Sequence, residues 1–140
     1  ALIIGGSTLV YFNINNDLSV YDQKMRVVSE LESKAIAALY DTTVARADRK
    51  RMEDVQTIGI PAWKECIKIL NEADQLDLPE ALQERNKDLR VYLELRLKCY
   101  QLYEEVYKDP SKDYSAELAA NDLEIQKIMT KLNGGQGFEE

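Results

Sequence analysis

The chain has 140 residues, of which 45% are hydrophobic and 31% are charged, and its formal net charge is -7. This length is typical of one domain with one hydrophobic core. The chain contains no histidine, which excludes Ser-His-Asp and Cys-His catalytic sets and histidine-ligated zinc or haem. The negative charge argues against binding to a nucleic-acid backbone. We therefore expect a non-catalytic protein without a cofactor or a metal, and without a nucleic-acid partner.

The first twelve residues form an apolar run that is interrupted only by Gly-Gly-Ser-Thr. As a helix they would reach about 18 Å, which is short of the roughly 30 Å hydrocarbon core of a bilayer. We interpret residues 1–19 as an apolar segment and linker, the end of a membrane anchor that begins upstream. The alternative is a buried strand, because residues 2–4 and 9–12 are strand formers around a Gly-Gly turn.

The flank of this segment bears on the side of the membrane. The first basic residue is Lys24, whereas cytoplasmic flanks usually carry Lys and Arg close to the bilayer. We therefore expect a membrane-associated domain on the extracytoplasmic side.

Helical spacing of the apolar residues continues from residue 20 to residue 133. The first helix is predicted over 20–40, and a mostly polar helical turn or two follows over 46–55. The pattern then stops at Gly59-Ile60-Pro61, where Pro61 fits the first turn of a second helix that ends near residue 76.

The third helix has the clearest predicted start. Asp77 is placed to be its N-cap, Pro79 lies in the first turn, and Glu80 completes a capping-box arrangement. Nothing interrupts the helix before Lys108, and its centre is apolar on most sides, which is typical of a helix with several neighbours. A last helix is predicted over 114–132.

No strand pattern competes after residue 20, and the connections between the helices are short. The sequence therefore predicts an all-α fold: an antiparallel bundle of about four helices over residues 20–133, followed by a flexible tail over 134–140. The acidic residues concentrate in the last part, since 109–140 holds seven acidic and three basic residues.

Four short stretches carry helix caps and core residues in the middle of the chain. They are Gly-Ile-Pro-Ala-Trp-Lys-Glu-Cys at 59–66, Leu-Asp-Leu-Pro at 76–79, Glu-Arg-Asn at 84–86 and Tyr-Leu-Glu-Leu-Arg at 92–96. Together they resemble a helical C-terminal extension of some bacterial rhomboid-family membrane proteins. Rhomboid proteases pair a Gly-x-Ser serine with a histidine. Gly5-Gly6-Ser7 fits only the first half of that pattern, so the resemblance implies a non-proteolytic appendage to a membrane core.

A stripe of aromatic and basic residues follows one face of the predicted third helix. Its members are Tyr92, Arg96, Tyr100, Tyr103 and Tyr107, spaced by four, four, three and four residues. Tyr and Arg are enriched at protein interfaces, which makes this stripe, together with Trp63, the candidate interaction surface. The more conservative interpretation, which we favour, is that the rings pack along a neighbouring helix and Arg96 pairs with a carboxylate.

Two other clusters have structural as well as functional interpretations. Arg46, Arg49, Lys50 and Arg51 form a basic cluster that would suit anionic headgroups or an acidic partner, but the acidic residues that follow favour a solvated, locally compensated face. Cys66 and Cys99 lie in apolar patterns on different helices and are expected to be buried free thiols. In an exported domain, a bridge between them is the alternative.

Two functions remain open. The preferred one is an interaction or regulatory domain attached to a membrane protein, which binds a protein partner or a second copy of itself. The alternative is a ligand-sensing four-helix bundle with a pocket lined by some of Trp63, Tyr92, Arg96 and Tyr100.

Overall fold

A computed structural model describes residues 8–43 and 45–134. In chain order they form α1 (Thr8–Tyr40), α2 (Asp48–Asp54), a π-helical segment (Val55–Gly59), α3 (Ile60–Ala73), α4 (Glu80–Lys108) and α5 (Ser115–Leu132). This part of the chain contains helices and no strands, so the predicted all-α class is confirmed. Residues 1–7 and all of the predicted tail except Gly134 lie outside the described residues.

Contacts between helices define an antiparallel bundle. The Tyr21 hydroxyl donates to Asn86 Oδ1 at 2.8 Å and the Tyr100 hydroxyl donates to the Ala35 carbonyl at 2.6 Å, so α1 and α4 run in the same direction. The stretch from α2 to α3 runs back between them. Helix α5 is antiparallel to α4. In the first half of α5, the Asn121 side chain donates to the Leu95 carbonyl in the middle of α4. The last residue of α5, Leu132, accepts a bond from Arg85 near the start of α4.

The main core lies where α3 packs against both α1 and α4. Its fully buried side chains include Trp63, Leu70, Leu93 and Tyr100. Helix α5 completes this core from the other side of α4 with Ile125 and Ile128. The predicted central position of α4 is thus correct, since α4 contacts both α3 and α5.

Helix α1 begins earlier than predicted. Residues 8–19 continue the helix that was expected to start at residue 20, so the strand alternative is wrong over residues 9–12. Tertiary contacts explain part of the extension. Leu18 packs beside Tyr21 in a small cluster at this end of the bundle, and Asp17 Oδ2 accepts a bond of 2.7 Å from the Asp77 amide. No helix among the described residues combines the length and the apolar character needed to cross a bilayer.

The predicted break at Gly59-Ile60-Pro61 is also wrong, because the chain is helical from Asp48 to Ala73. A proline inside an α-helix removes one hydrogen bond, and its ring collides with the carbonyl four residues earlier. Here the turn before Pro61 is widened, and the Ile60 amide donates to the Val55 carbonyl five residues back. We infer that the wider turn accommodates the proline without ending the helix.

The start of α4 differs from the predicted capping box. Pro79 is the N-cap residue, and no side chain caps this end. The Asp77 amide is instead bound by Asp17 of α1, so a residue distant in sequence holds the connection between α3 and α4. Helix α4 ends at Lys108, as predicted.

Candidate functional site

The aromatic stripe lies along α4 and is divided by depth. Tyr92 and Tyr100 are buried, with exposed fractions of 6% and 0%, whereas Tyr107 is 47% exposed. Tyr103 is partly buried and packs against the core. The stripe therefore belongs to the core at Tyr92 and Tyr100, and it reaches the surface at Tyr107, near the C-terminal end of α4.

The buried half of the stripe surrounds Trp63 of α3. The Trp63 ring contacts Tyr92 and Tyr100 edge to face, with ring centroids 6.2 Å and 5.6 Å apart. Burial raises the pKa of Tyr92 to about 12 and raises that of Tyr100 as well. These rings fill the space between α3 and α4, so the cluster of Trp63, Tyr92 and Tyr100 is a packing element, as the conservative interpretation expects.

Arg96 belongs to this packing element and not to an ion pair. Its guanidinium carbon lies 5.3 Å from the centroid of the Tyr92 ring, and its Nε donates to the Tyr92 hydroxyl at 3.2 Å. Its Nη2 is 3.8 Å from the Met129 sulfur of α5. None of the ion pairs among the described residues includes Arg96, so the carboxylate partner expected from the sequence is not found there. A cation–π contact takes its place.

The exposed half of the stripe borders a groove at one end of the bundle. The groove lies where the end of α1, the helix α2 and the end of α4 meet, and its volume is about 590 Å³. The apolar side chains that line it include Leu39, Tyr40, Met52, Tyr103, Val106 and Tyr107. We call it the end groove.

Three features make the end groove the best candidate site on the described surface. Tyr40 and Tyr107 are large side chains that remain 44% and 47% exposed there. Two charged residues, Asp48 and Arg51, join the apolar lining. Burial also raises the pKa values of Tyr40 and Tyr103 above the ordinary value of 10.0, so both hydroxyl groups remain hydrogen-bond donors well above neutral pH.

The sequence pointed to only part of this groove. Tyr103 and Tyr107 were in the predicted interaction surface, but Tyr40, Met52 and Val106 were not. A sequence signal did exist at Tyr40, which is a large aromatic residue at the last position of a predicted helix. Its juxtaposition with α4 depends on the return of the chain through α2.

The basic cluster separates into different roles. Arg46 closes the end of α1, since its guanidinium donates to the carbonyls of Ala37, Ala38 and Asp41 at 2.9–3.2 Å. Arg46 also donates to Asp54 at 2.7 Å. We therefore assign Arg46 to the structure of the connection between α1 and α2.

The rest of the cluster is partly compensated. Lys50 lies 3.1 Å from Asp54, and the hydrogen bonds from Arg46 and Lys50 hold the pKa of Asp54 below its usual value. Arg49 is exposed and Arg51 lines the end groove, and neither makes an ion pair with another described residue. The expectation that nearby acidic residues compensate the basic charges is therefore met at Lys50 and is not met at Arg51.

Both cysteines are free and buried, as expected. Burial raises the pKa of Cys66 to about 12, and its thiol donates to the Val28 carbonyl at 3.6 Å. Burial also raises the pKa of Cys99, whose sulfur lies 3.8 Å from the Tyr40 hydroxyl. These thiols are packed as small apolar side chains. No cluster of potential metal ligands occurs within residues 8–43 and 45–134.

Comparisons with known proteins give no relative. No family model matches the chain, and searches of curated proteins and of solved structures find no match. The resemblance to rhomboid-family extensions has no support from these comparisons.

Proposed function

We propose that this chain is a non-catalytic helical interaction or regulatory domain attached to a membrane protein, and that the end groove is its partner-binding surface. The observation that carries the proposal is the pair of half-exposed tyrosines, Tyr40 and Tyr107, in a largely apolar groove. Exposed tyrosines beside an arginine are the residue types that dominate binding at protein interfaces.

The position of the groove suits a domain that is held at its other end. Asp17 lies level with the connection between α3 and α4, and nine residues of α1 precede it, which corresponds to about 13 Å of helix. This extension points away from the end groove, because the groove contains the last residue of α1, Tyr40. A tether through residues 1–19 would therefore leave the groove accessible. We also propose that the domain is attached to a rhomboid-family membrane protein and lies on the extracytoplasmic side of the membrane.

The ligand-sensing alternative needs a different location from the one predicted. Trp63 is in edge-to-face contact with both Tyr92 and Tyr100, and all three side chains are at most 6% exposed, so these rings leave little space for a ligand. The end groove, at about 590 Å³, has the size of a small-molecule site.

A photo-crosslinking experiment tests the proposed function. A photoreactive amino acid replaces Tyr107 in the groove, and in a matched control it replaces Leu123 of α5, which is 52% exposed but does not line the groove. In membranes of the native host, we expect a protein adduct from position 107 and none from position 123. Equal labelling at both positions, or no adduct together with a strictly monomeric protein in light scattering, would contradict the proposal.

A further inference from the structure

The two charged residues that line the end groove, Asp48 and Arg51, make no ion pair with another described residue. Arg51 lines the groove, and its Nε is buried without a hydrogen-bond partner. An occupant of the groove would meet the rest of this partly buried guanidinium, which makes no ion pair with another described residue, and a carboxylate is the acceptor that best matches a guanidinium. The acidic residue in the same lining, Asp48, makes no ion pair with Arg51 within 4 Å.

The apolar lining specifies the other part of an occupant. Tyr40, Met52, Tyr103 and Tyr107 offer rings and a thioether, and these residue types adapt to alkyl chains and to aromatic rings alike. The lining thus combines an extended apolar surface with a partly buried cation, Arg51, and an exposed carboxylate, Asp48, that do not pair with each other. Of the two charges, the partly buried one is the less hydrated and gains more from a partner of opposite sign.

We propose that the end groove binds a small amphipathic anion, an alkyl or aryl carboxylate whose apolar part lies against the tyrosines and whose carboxylate accepts hydrogen bonds from Arg51. The occupant would then compete with a protein partner for the groove, a consequence that rests on the proposed function. The binding step itself does not depend on a partner and is measurable with the isolated chain.

The experiment compares decanoate with decyltrimethylammonium by isothermal titration calorimetry, and the site is located by amide chemical-shift changes. The two probes share an alkyl chain and differ in the sign of their charge. Because the net charge of the protein is -7, non-specific attraction favours the cation, so a preference for decanoate has to come from the site.

Four variants locate the interaction. We expect Arg51→Gln to weaken decanoate binding by about tenfold, since it removes a charge-assisted contact. Arg49→Gln, on the same helix but outside the groove lining, is the matched control and leaves the affinity unchanged. Asp48→Asn removes a negative charge that repels the carboxylate of decanoate, and it should tighten decanoate binding. Tyr107→Ala, at a half-exposed position, should weaken the binding of both probes.

The expected result is one decanoate site with an affinity of roughly 100 μM or better, at least tenfold tighter than that of the cation, with shifts at Tyr103 and Tyr107. The proposal is overturned by no decanoate binding at about 1 mM, by equal affinity for both probes, by equal effects of Arg51→Gln and Arg49→Gln, or by shifts outside the groove. A protein adduct at position 107 would still support the proposed function after any of these outcomes. The proposed function and the proposed anion site can therefore fail independently.

Discussion

Gly59 offers the sharpest test of how the π-helical segment packs. A Cβ atom at this position would lie 2.7 Å from Cε2 and 2.8 Å from Cδ2 of the Tyr100 ring. Real Cβ atoms do not approach carbon this closely, so the ring or the helix would have to move. The Tyr100 ring cannot move freely, because its hydroxyl is bonded to Ala35 and its edge packs against Trp63.

Two opposing contributions determine how much Gly59→Ala changes the free energy of unfolding. Overpacking of a filled core costs about 1–3 kcal/mol, whereas replacing glycine by alanine in a helix contributes up to about 1 kcal/mol of stabilisation. Because both contacts are shorter than 3.0 Å and the Tyr100 ring is held in place, the overpacking cost lies in the upper part of that range, about 2–3 kcal/mol, and we expect a net loss of about 1–2 kcal/mol in the free energy of unfolding. At about 2.1 cal/mol/K per residue, this corresponds to a fall in Tm of roughly 3–7 °C.

A double-mutant cycle with Tyr100→Leu is the assay, with stability measured by urea unfolding and by calorimetry. Tyr100→Leu removes Cε2, the ring atom nearest to the added methyl group, and replaces the fixed Cδ2 by a δ-methyl group that can turn away by a change of rotamer. In that background we expect Gly59→Ala to be neutral or stabilising by up to about 1 kcal/mol, which leaves only the helix-propensity effect. A more stable single variant Gly59→Ala, or the same cost in both backgrounds, would refute the packing argument.

Three further predictions concern contacts elsewhere in the bundle. Asp17→Ala should lower the free energy of unfolding by about 0.5–1.5 kcal/mol through loss of the bond to the Asp77 amide, and Asp17→Asn, which keeps an acceptor oxygen, should lose less in the same urea titration. Both thiols should be unreactive toward a chromogenic disulfide reagent in the native protein and fully reactive in denaturant, because burial raises the pKa of Cys66 to about 12; rapid native labelling would contradict this packing. Stability should be constant between about pH 6 and pH 8 and then fall as the pH approaches 12, because Cys66, Tyr92 and Tyr100 titrate at higher pH in the folded chain than in the unfolded chain. Calorimetric Tm values that stay level between pH 9 and pH 11 would show that these thiol and hydroxyl groups are not buried.

The end groove shows why the site was only half predictable. Tyr103 and Tyr107 share a face with Tyr92 and Tyr100 by sequence spacing alone, since residues three and four apart on a helix are neighbours. Spacing does not tell which of them a second helix covers. That depends on where α3 lies, and α3 covers the middle of α4 and not its end.

The composition and the periodicity of the sequence by themselves determined the all-α class and the end of α4 at Lys108. They succeeded because an apolar repeat every three to four residues places its side chains on one face of a helix, and because Pro110 disfavours the helical conformation at Asp109, the residue before it. These are local properties, and the structure reproduces them.

Only the tertiary structure decided how the ambiguous residues are used. Gly59 and Pro61 predicted a break in the helix, yet Gly59 makes room for the Tyr100 ring and the widened turn carries Pro61. Asp77 was the predicted cap, yet its amide is bound by Asp17, sixty residues away. Glycine, proline and aspartate have several local uses, and the free energy of contacts with distant segments selects among them.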